Sequence, residues 1–310
     1  MKIIVTGSLG NISKPLTNLL VEKGHNVTVI SSDPKKQAAI ESLKATAAIG
    51  SIADADFLAK TFKSADAVYA MIPMPFKDTD PQAYLAKMAA NYVEAIKQAA
   101  VPRVVAMSGW AADLIAGENV EDVFTAELKN TSITILRPAS FYSNFYQSMG
   151  LIRGKGLLGK YLTLRYSGVK ALLTGKTGLL MGNCGGNDRT VFVSPIDIAD
   201  AIAEELVVRP GHTTIRYVGS EEMTCNEAAT IIGTAVGKPW LKWVLLSDKQ
   251  MLQGLKMAKL PEKLAKLLVA MQAVMHSGKP LENFHRSNPK MGKIKLVEFA
   301  KEFASVYKQE

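Results

Sequence analysis

Apolar positions in the first 138 residues switch repeatedly between two spacings, short continuous runs and helical stripes. Lys2–Thr6 is an aliphatic run that ends at Gly7 and reads as a buried strand. Pro15–Lys23 carries Leu16, Leu19 and Leu20 at helical spacing and stops at Gly24. Val27–Ile30 is a second β-branched run, and Pro34–Leu43 predicts a helix that Asp33 is placed to cap. A third strand, Ala45–Ile49, precedes a helix at Asp54–Phe62, and Ala67–Ile72 is a strand closed by Pro73 and Pro75. Pro81–Ala99 predicts a long helix with Leu85, Met88, Tyr92 and Ile96 on one face. Val104–Met107 and Ser132–Leu136 read as strands around a helix at Val120–Lys129, the second strand closed by Pro138.

Strict alternation of strand and helix demands a parallel sheet with helices on both faces, because right-handed crossovers leave no other compact arrangement. The fold class is therefore α/β, a doubly wound parallel sheet. The alternation decays beyond Arg137: residues 139–190 are rich in Gly, Lys and Tyr and yield no clear elements. A strand at Thr190–Val193, a helix at Pro195–Val207, a strand at Thr214–Val218 and a helix at Asn226–Val236 follow. After Trp243 the pattern is mainly helical, including Leu264–Met275 and Ile294–Tyr307. The expected organisation is a doubly wound domain over 1–150 and a smaller, mostly helical lobe over 151–310. Sheet connections are expected to return to the first domain near 190–220.

At 310 residues, 48% hydrophobic and 21% charged, the composition is that of a globular chain with a full core, which excludes a disordered or fibrous protein. No run approaches the ~20 apolar residues that span a bilayer. The apolar run before Gly7 is too short for a secretory leader, so a cytoplasmic location is the expectation. Cys184 and Cys225 sit in no CxxC spacing and read as ordinary thiols of a reducing compartment. Charge is divided unevenly: 1–150 is neutral, and the net +9 lies in 151–310. Arg153, Lys155, Lys160, Arg165, Lys170 and Lys176 fall in a stretch from Leu151 to Asn187 that has no acid. Interleaved with Leu, Gly and Tyr, these residues match no nucleic-acid motif and read as a solvated segment; no nucleic acid or membrane partner is expected.

The most informative motif is Thr6-Gly7-Ser8-Leu9-Gly10-Asn11-Ile12-Ser13, which follows a strand and opens a helix as a dinucleotide fingerprint requires. Gly7 turns the chain off the strand, and Gly10 lets a pyrophosphate approach the backbone. The amides of Gly10, Asn11 and Ile12 then face the phosphates from the positive end of a helix. Ser13 replaces the usual third glycine, whose role is close helix–strand packing. The second strand ends Ser31-Ser32-Asp33-Pro34-Lys35-Lys36. An acid at this point suits the ribose hydroxyl of NAD, and hydroxyl or basic groups suit the 2′-phosphate of NADP. With Asp33 read as a helix cap, Ser31, Ser32 and Lys36 favour NADP(H) over NAD(H). Ile72 and Pro73 end a strand on the edge where such folds bind ligands and are expected to border the cofactor, or simply to stop the strand.

TGSLGNIS, with Gly24–Val29, Ala65–Tyr69, Val101–Val105, Thr134–Ala139, Phe141–Phe145 and Ser194–Ala199, resembles the NmrA-like group of atypical short-chain dehydrogenase/reductase proteins. The resemblance covers most of residues 1–245 and is weakest over 151–189. It implies a Rossmann domain over 1–150, a nicotinamide cofactor and a substrate lobe. It also implies a role for Ser108, which follows the fifth strand where the family's serine lies, and places Tyr142, Asn144 and Tyr146 near the nicotinamide. An aromatic packing cluster is the other reading of that trio. The family's Tyr-x-x-x-Lys pair is absent from 118–130, where Phe124 and Leu128 occupy one register. His25, His212, His276 and His285 are scattered without metal-ligand spacing, so no metal site is expected. Ser108-Gly109 lacks the GxSxG elbow of a serine hydrolase. Two functions remain open. One is an NAD(P)H-dependent reductase for a small quinone-like, azo or carbonyl acceptor. The other is a non-catalytic NADP(H) sensor that binds a regulator protein or a second copy of itself. A sugar-nucleotide epimerase is disfavoured by the missing tyrosine and lysine.

Overall fold

A computed structural model describes residues 1–115, 120–208 and 211–309. The chain opens with β1 (Lys2–Val5), α1 (Ser13–Glu22), β2 (Asn26–Ser31), α2 (Gln37–Glu41), β3 (Thr46–Ile49) and α3 (Ala55–Phe62). It continues with β4 (Ala67–Ala70), α4 (Pro81–Gln98), β5 (Arg103–Met107), α5 (Val120–Glu127) and β6 (Ser132–Pro138). Next come β7 (Ser140–Phe141), α6 (Asn144–Gln147), α7 (Met149–Arg153), α8 (Gly156–Leu173), β8 (Leu180–Gly182), β9 (Arg189–Val193), α9 (Pro195–Val207) and β10 (Thr214–Val218). The last elements are β11 (Glu221–Thr224), α10 (Cys225–Ala235), β12 (Trp243–Leu245), α11 (Asp248–Met257), α12 (Glu262–His276), α13 (Lys279–Ser287) and α14 (Leu296–Gln309).

Seven strands form one parallel sheet in the order β10-β6-β5-β4-β1-β2-β3. Residues alternate across it: Ile4, Val68, Ala70, Val104 and Ala106 face a core closed by α3, α4 and α5. Helix α9 packs against α1 and against β4, β5 and β6. Strand order reverses at the β1–β4 pair, the point where such sheets open a crevice for ligands beyond their carboxyl ends. This is the doubly wound parallel sheet expected from the alternation, in the Rossmann-type arrangement that the family resemblance implied.

By compactness the chain forms two units, 1–138 with 195–218, and 139–194 with 219–310. The division expected after residue 150 falls after Pro138, and α9 with β10 completes the first sheet. The second unit holds a three-stranded sheet, β11-β9-β7, a two-stranded pair, β12-β8, and helices including α10 against α14. Its core gathers Tyr142, Phe145, Ile152, Phe192, Ile232 and Phe303.

Differences from the sequence reading are local. The helix expected over Pro34–Leu43 is a 3-10 turn at Pro34–Lys36 followed by the short α2. Only Ile40 of α2 is buried, so little apolar surface holds a longer helix there. Strand β6 runs through Pro138, which pairs with Val218 at the strand's end. The unassigned 139–190 stretch contains four short elements, β7, α6, α7 and β8, and the 18-residue α8. None of the described helices is long and apolar enough to cross a membrane.

Burial pushes the Cys184 thiol up to about 12, helped by nearby Asp188, and raises Cys225 as well. Both cysteines are free. Since the thiolate is the reactive form, alkylation of Cys184 by iodoacetamide at pH 8 should run about a thousandfold slower than that of an exposed cysteine. Denaturant should restore the ordinary rate; rapid labelling of the folded protein would contradict this burial.

Candidate nucleotide-binding site

The loop from β1 to α1 is built by steric necessity at its start. Gly7 has φ +88°, and a Cβ there would lie 2.5 Å from Met71 Cε and 2.7 Å from Ser13 Oγ. Only glycine meets both conditions. Thr6 stitches the loop to the chain leaving β4: its Oγ1 donates to the Tyr69 carbonyl at 3.0 Å and accepts from the Met71 amide at 2.8 Å. Tyr92 Oη donates to the Met71 carbonyl at 3.0 Å. The residues after β1 and β4 are thus locked together at the switch point, with Ile72 half-buried and Pro73 exposed beside them. Ser13, at the third glycine's position, donates through Oγ to the Thr6 carbonyl at 2.7 Å. A hydroxyl therefore draws helix and strand together where glycine would do so by its small size.

Gly10 is different. It is exposed, and a Cβ on it would meet only the Gly7 carbonyl oxygen, at 3.2 Å. The fold itself does not demand glycine here, but close approach of a ligand to the backbone does. The Gly10 amide donates to Gly7 O at 3.2 Å, which corrects the expectation that it faces the phosphates. Among the described residues the amides of Leu9, Asn11 and Ile12 have no protein acceptor. Helix α1 has Ile12 at its N-cap position and no side-chain cap, whereas Asp54 and Asp80 cap α3 and α4. An uncapped helix start with open amides is the arrangement that receives a phosphate.

The end of β2 is tied to this loop. Ser8, at φ +55°, donates from its amide to Ile30 O at 3.0 Å and from Oγ to Ser31 Oγ at 2.9 Å. Ser31 is buried and also accepts from the Asp33 amide at 3.2 Å, so it shapes the loop from beneath. The Asp33 carboxylate accepts from the Lys35 amide at 3.0 Å, capping the following turn. Ser32, Lys35 and Lys36 are exposed, and among the described residues neither lysine has an acidic partner.

Beyond β5 lies a polar cluster that the sequence reading did not find. Ser108 Oγ donates to Glu121 Oε1, and Glu121 takes two bonds from Arg137, at 2.9 Å from Nε and 2.6 Å from Nη2. Arg137 Nη1 reaches Asp113 at 2.9 Å and Tyr217 Oη at 2.8 Å. Burial opposes the charge on Arg137, but Glu121 and Tyr217 outweigh it and raise its pKa. The signal was present: an arginine ending a strand of Ile, Thr and Leu needs a carboxylate, and Asp113 and Glu121 lie shortly before it. The cluster occupies the start of α5, where the family's tyrosine and lysine were sought; residues 118 and 119 of that window lie outside the described residues.

Tyr142 and Asn144 belong to the second unit. Tyr142 is fully buried, with its ring 5.5 Å from that of Phe299 and 6.4 Å from that of Phe192. Its hydroxyl donates to the Ile294 carbonyl at 3.2 Å. Asn144 is exposed at the start of α6, and Tyr146 packs on Phe299 and Phe303. His285 meets Glu222 at 2.8 Å, and His276 meets Asp188. The described residues contain no cluster of three or more groups suited to a metal ion.

A parallel doubly wound sheet with a glycine turn at its switch point defines a dinucleotide-binding protein. The chain belongs to the NAD(P)H-binding family, whose profile matches residues 7–207. No curated protein matches it by sequence. Among solved structures, it is similar to the triphenylmethane reductase of Citrobacter sp. in complex with NADP(H), with TM-score 0.72 and 18% identity, covering 97% of this chain and 99% of that one. It is also similar to an NADPH-dependent quinone oxidoreductase of Escherichia coli complexed with NADPH, at 0.71 and 17%, with 97% and 99% covered. A nucleoside-diphosphate-sugar epimerase of Staphylococcus aureus gives 0.71 and 15%, with 97% and 100% covered. At these identities the likeness is one of fold.

Proposed function

We propose that the chain is a cytoplasmic NADPH-dependent reductase that transfers hydride to a small quinone-like, azo or carbonyl acceptor. The observation that carries the reading is the loop between β1 and α1, where open amides at Leu9, Asn11 and Ile12 surround an exposed Gly10. These amides hold the pyrophosphate, and Ile72 and Pro73 border the cofactor across the switch point. At the end of β2, Asp33 is spent as a cap, while Ser32, Lys35 and Lys36 remain to receive a 2′-phosphate. The bound nicotinamide supplies the hydride. The NADPH complex of the quinone oxidoreductase and the NADP(H) complex of the triphenylmethane reductase, which share this fold, support the choice of cofactor and acceptor class.

The window 118–130, where the family's Tyr-x-x-x-Lys proton donor was sought, holds no such pair. Ser108 directs its own proton to the Glu121 carboxylate, which leaves its lone pairs to accept a bond rather than to donate one. Tyr142 is enclosed and is assigned no proton transfer. The acceptor's proton then comes from water, which suits a quinone or azo compound. The same observation favours a second reading, a non-catalytic NADP(H) sensor whose output is a regulator protein or a second copy.

NADPH should bind at least about tenfold more tightly than NADH, because each basic group near a phosphate adds a charge-assisted contact. Lys35→Glu with Lys36→Glu should weaken NADPH about tenfold and leave NADH unchanged. NADH binding as tight as NADPH would refute the cofactor choice. In the same solution, reduced-nicotinamide absorbance should fall only after a quinone or azo dye is added. Tight binding without turnover across such a panel would replace the reductase with the sensor.

A further inference from the structure

The acid-free stretch read from sequence as a solvated segment is largely an ordered helix, and its outer face is apolar. In α8, Leu157, Tyr161 and Leu164 recur at i, i+4 and i+7 and are 88%, 54% and 44% exposed. Thr163, on the opposite side, is buried. At 100° per residue this exposed ridge has Lys160 on one flank and Arg165 on the other. Arg165 Nη1 donates to Tyr161 Oη at 2.9 Å, so the ring stays in the ridge while its polar end joins the basic flank. Beyond a break at Gly168 (φ +85°), Val169 and Leu173 lie one turn apart and are 58% and 80% exposed, with Lys170 exposed between them.

We propose that this face docks the protein on an anionic lipid surface. A row of exposed apolar side chains along one helix face marks an interaction site rather than scattered surface residues. Basic residues flanking an apolar ridge suit the plane of a lipid headgroup layer, where the aliphatic groups enter the acyl boundary and the cations meet phosphates. Charge decides against a second copy as the occupant. No acid occurs from Leu151 to Asn187, so two such faces would bring lysine against lysine. The expectation of no membrane partner followed from reading these residues as a solvated segment, whereas they form a helix with an apolar outer ridge. The inference is independent of the cofactor reading.

Sedimentation with vesicles tests it. The full chain should bind vesicles of phosphatidylcholine containing roughly a third phosphatidylglycerol, and bind pure phosphatidylcholine far less, with the difference shrinking as salt rises. Lys160→Glu with Arg165→Glu should lower the bound fraction about tenfold or more. Leu157→Glu with Leu164→Glu should do the same, and both variants should keep the parent's melting midpoint, since all four side chains lie at the surface. Failure of the parent to bind anionic vesicles would overturn the proposal. So would equal binding to neutral vesicles, binding that survives both variants, or a dimer that Leu157→Glu dissolves.

Discussion

Gly10→Asp should severely weaken dinucleotide binding while leaving the protein folded. A Cβ at this position meets only the Gly7 carbonyl oxygen, at 3.2 Å, and the residue is exposed, so the folding cost should be about 1 kcal/mol or less. The new carboxylate would stand where the pyrophosphate approaches the backbone. Two like charges about 4 Å apart near a protein surface repel by about 4 kcal/mol, so affinity should fall on the order of a hundredfold to a thousandfold. Titration followed by nicotinamide fluorescence measures this, with the urea midpoint as the folding control. Gly7→Ala should behave in the opposite way. Its φ of +88° costs a side-chain residue about 1–2 kcal/mol, and the overlap with Met71 and Ser13 adds to that. The folding midpoint itself should therefore drop. If Gly10→Asp binds NADPH as the parent does, the loop is not the pyrophosphate site.

Glu205→Leu should be among the most damaging single changes to the first unit. Arg103 is fully buried, and its Nη2 meets Glu205 Oε2 at 2.9 Å. Arg103 Nε donates to the Glu205 carbonyl at 2.8 Å, and Thr134 Oγ1 donates to the same carboxylate at 2.8 Å. Arg216 binds Glu205 Oε1 at 3.0 Å. One carboxylate on α9 thus ties together β5, β6 and β10, the last three strands of the sheet. Removing it strands a guanidinium out of water, at a cost of about 3–5 kcal/mol. Arg103→Met with Glu205→Leu should recover most of that loss, because no unpaired charge then remains. Urea denaturation of the single and double variants decides the matter. A loss below about 1 kcal/mol for Glu205→Leu would mean that water reaches Arg103 and solvates it.

These two predictions rest on very different kinds of legibility. Gly7 and Gly10 stand out in the sequence because their order, between an aliphatic run and a leucine stripe, has few other physical explanations. The Asp33 cap was equally readable, since an Asx residue before proline is a local signal. Helix α9 and strand β10 have the bounds their apolar patterns predict. Arg103, by contrast, began no expected strand at all. A buried arginine is recognised by its partner, and Glu205 lies about a hundred residues away. Ser108 was read by position, but the direction of its proton depends on Glu121, itself set by Arg137. Tyr142 and Ser31 looked like ligand contacts because a sequence does not say which hydroxyls are already enclosed.

By itself, then, the sequence determined the parallel α/β sheet and the place of its nucleotide loop. Both follow from periodicity and from backbone conformations that only certain residues adopt, which are local properties of the chain. Tertiary structure decided what local rules do not encode. It committed the amide of Gly10 to Gly7 and left those of Asn11 and Ile12 open. It also inserted residues 139–194 between β6 and α9, and turned the leucines of α8 outward beside lysines. Those outcomes depend on which distant side chains compete for the same hydrogen bond or the same buried surface, and that competition is settled only when the whole chain has packed.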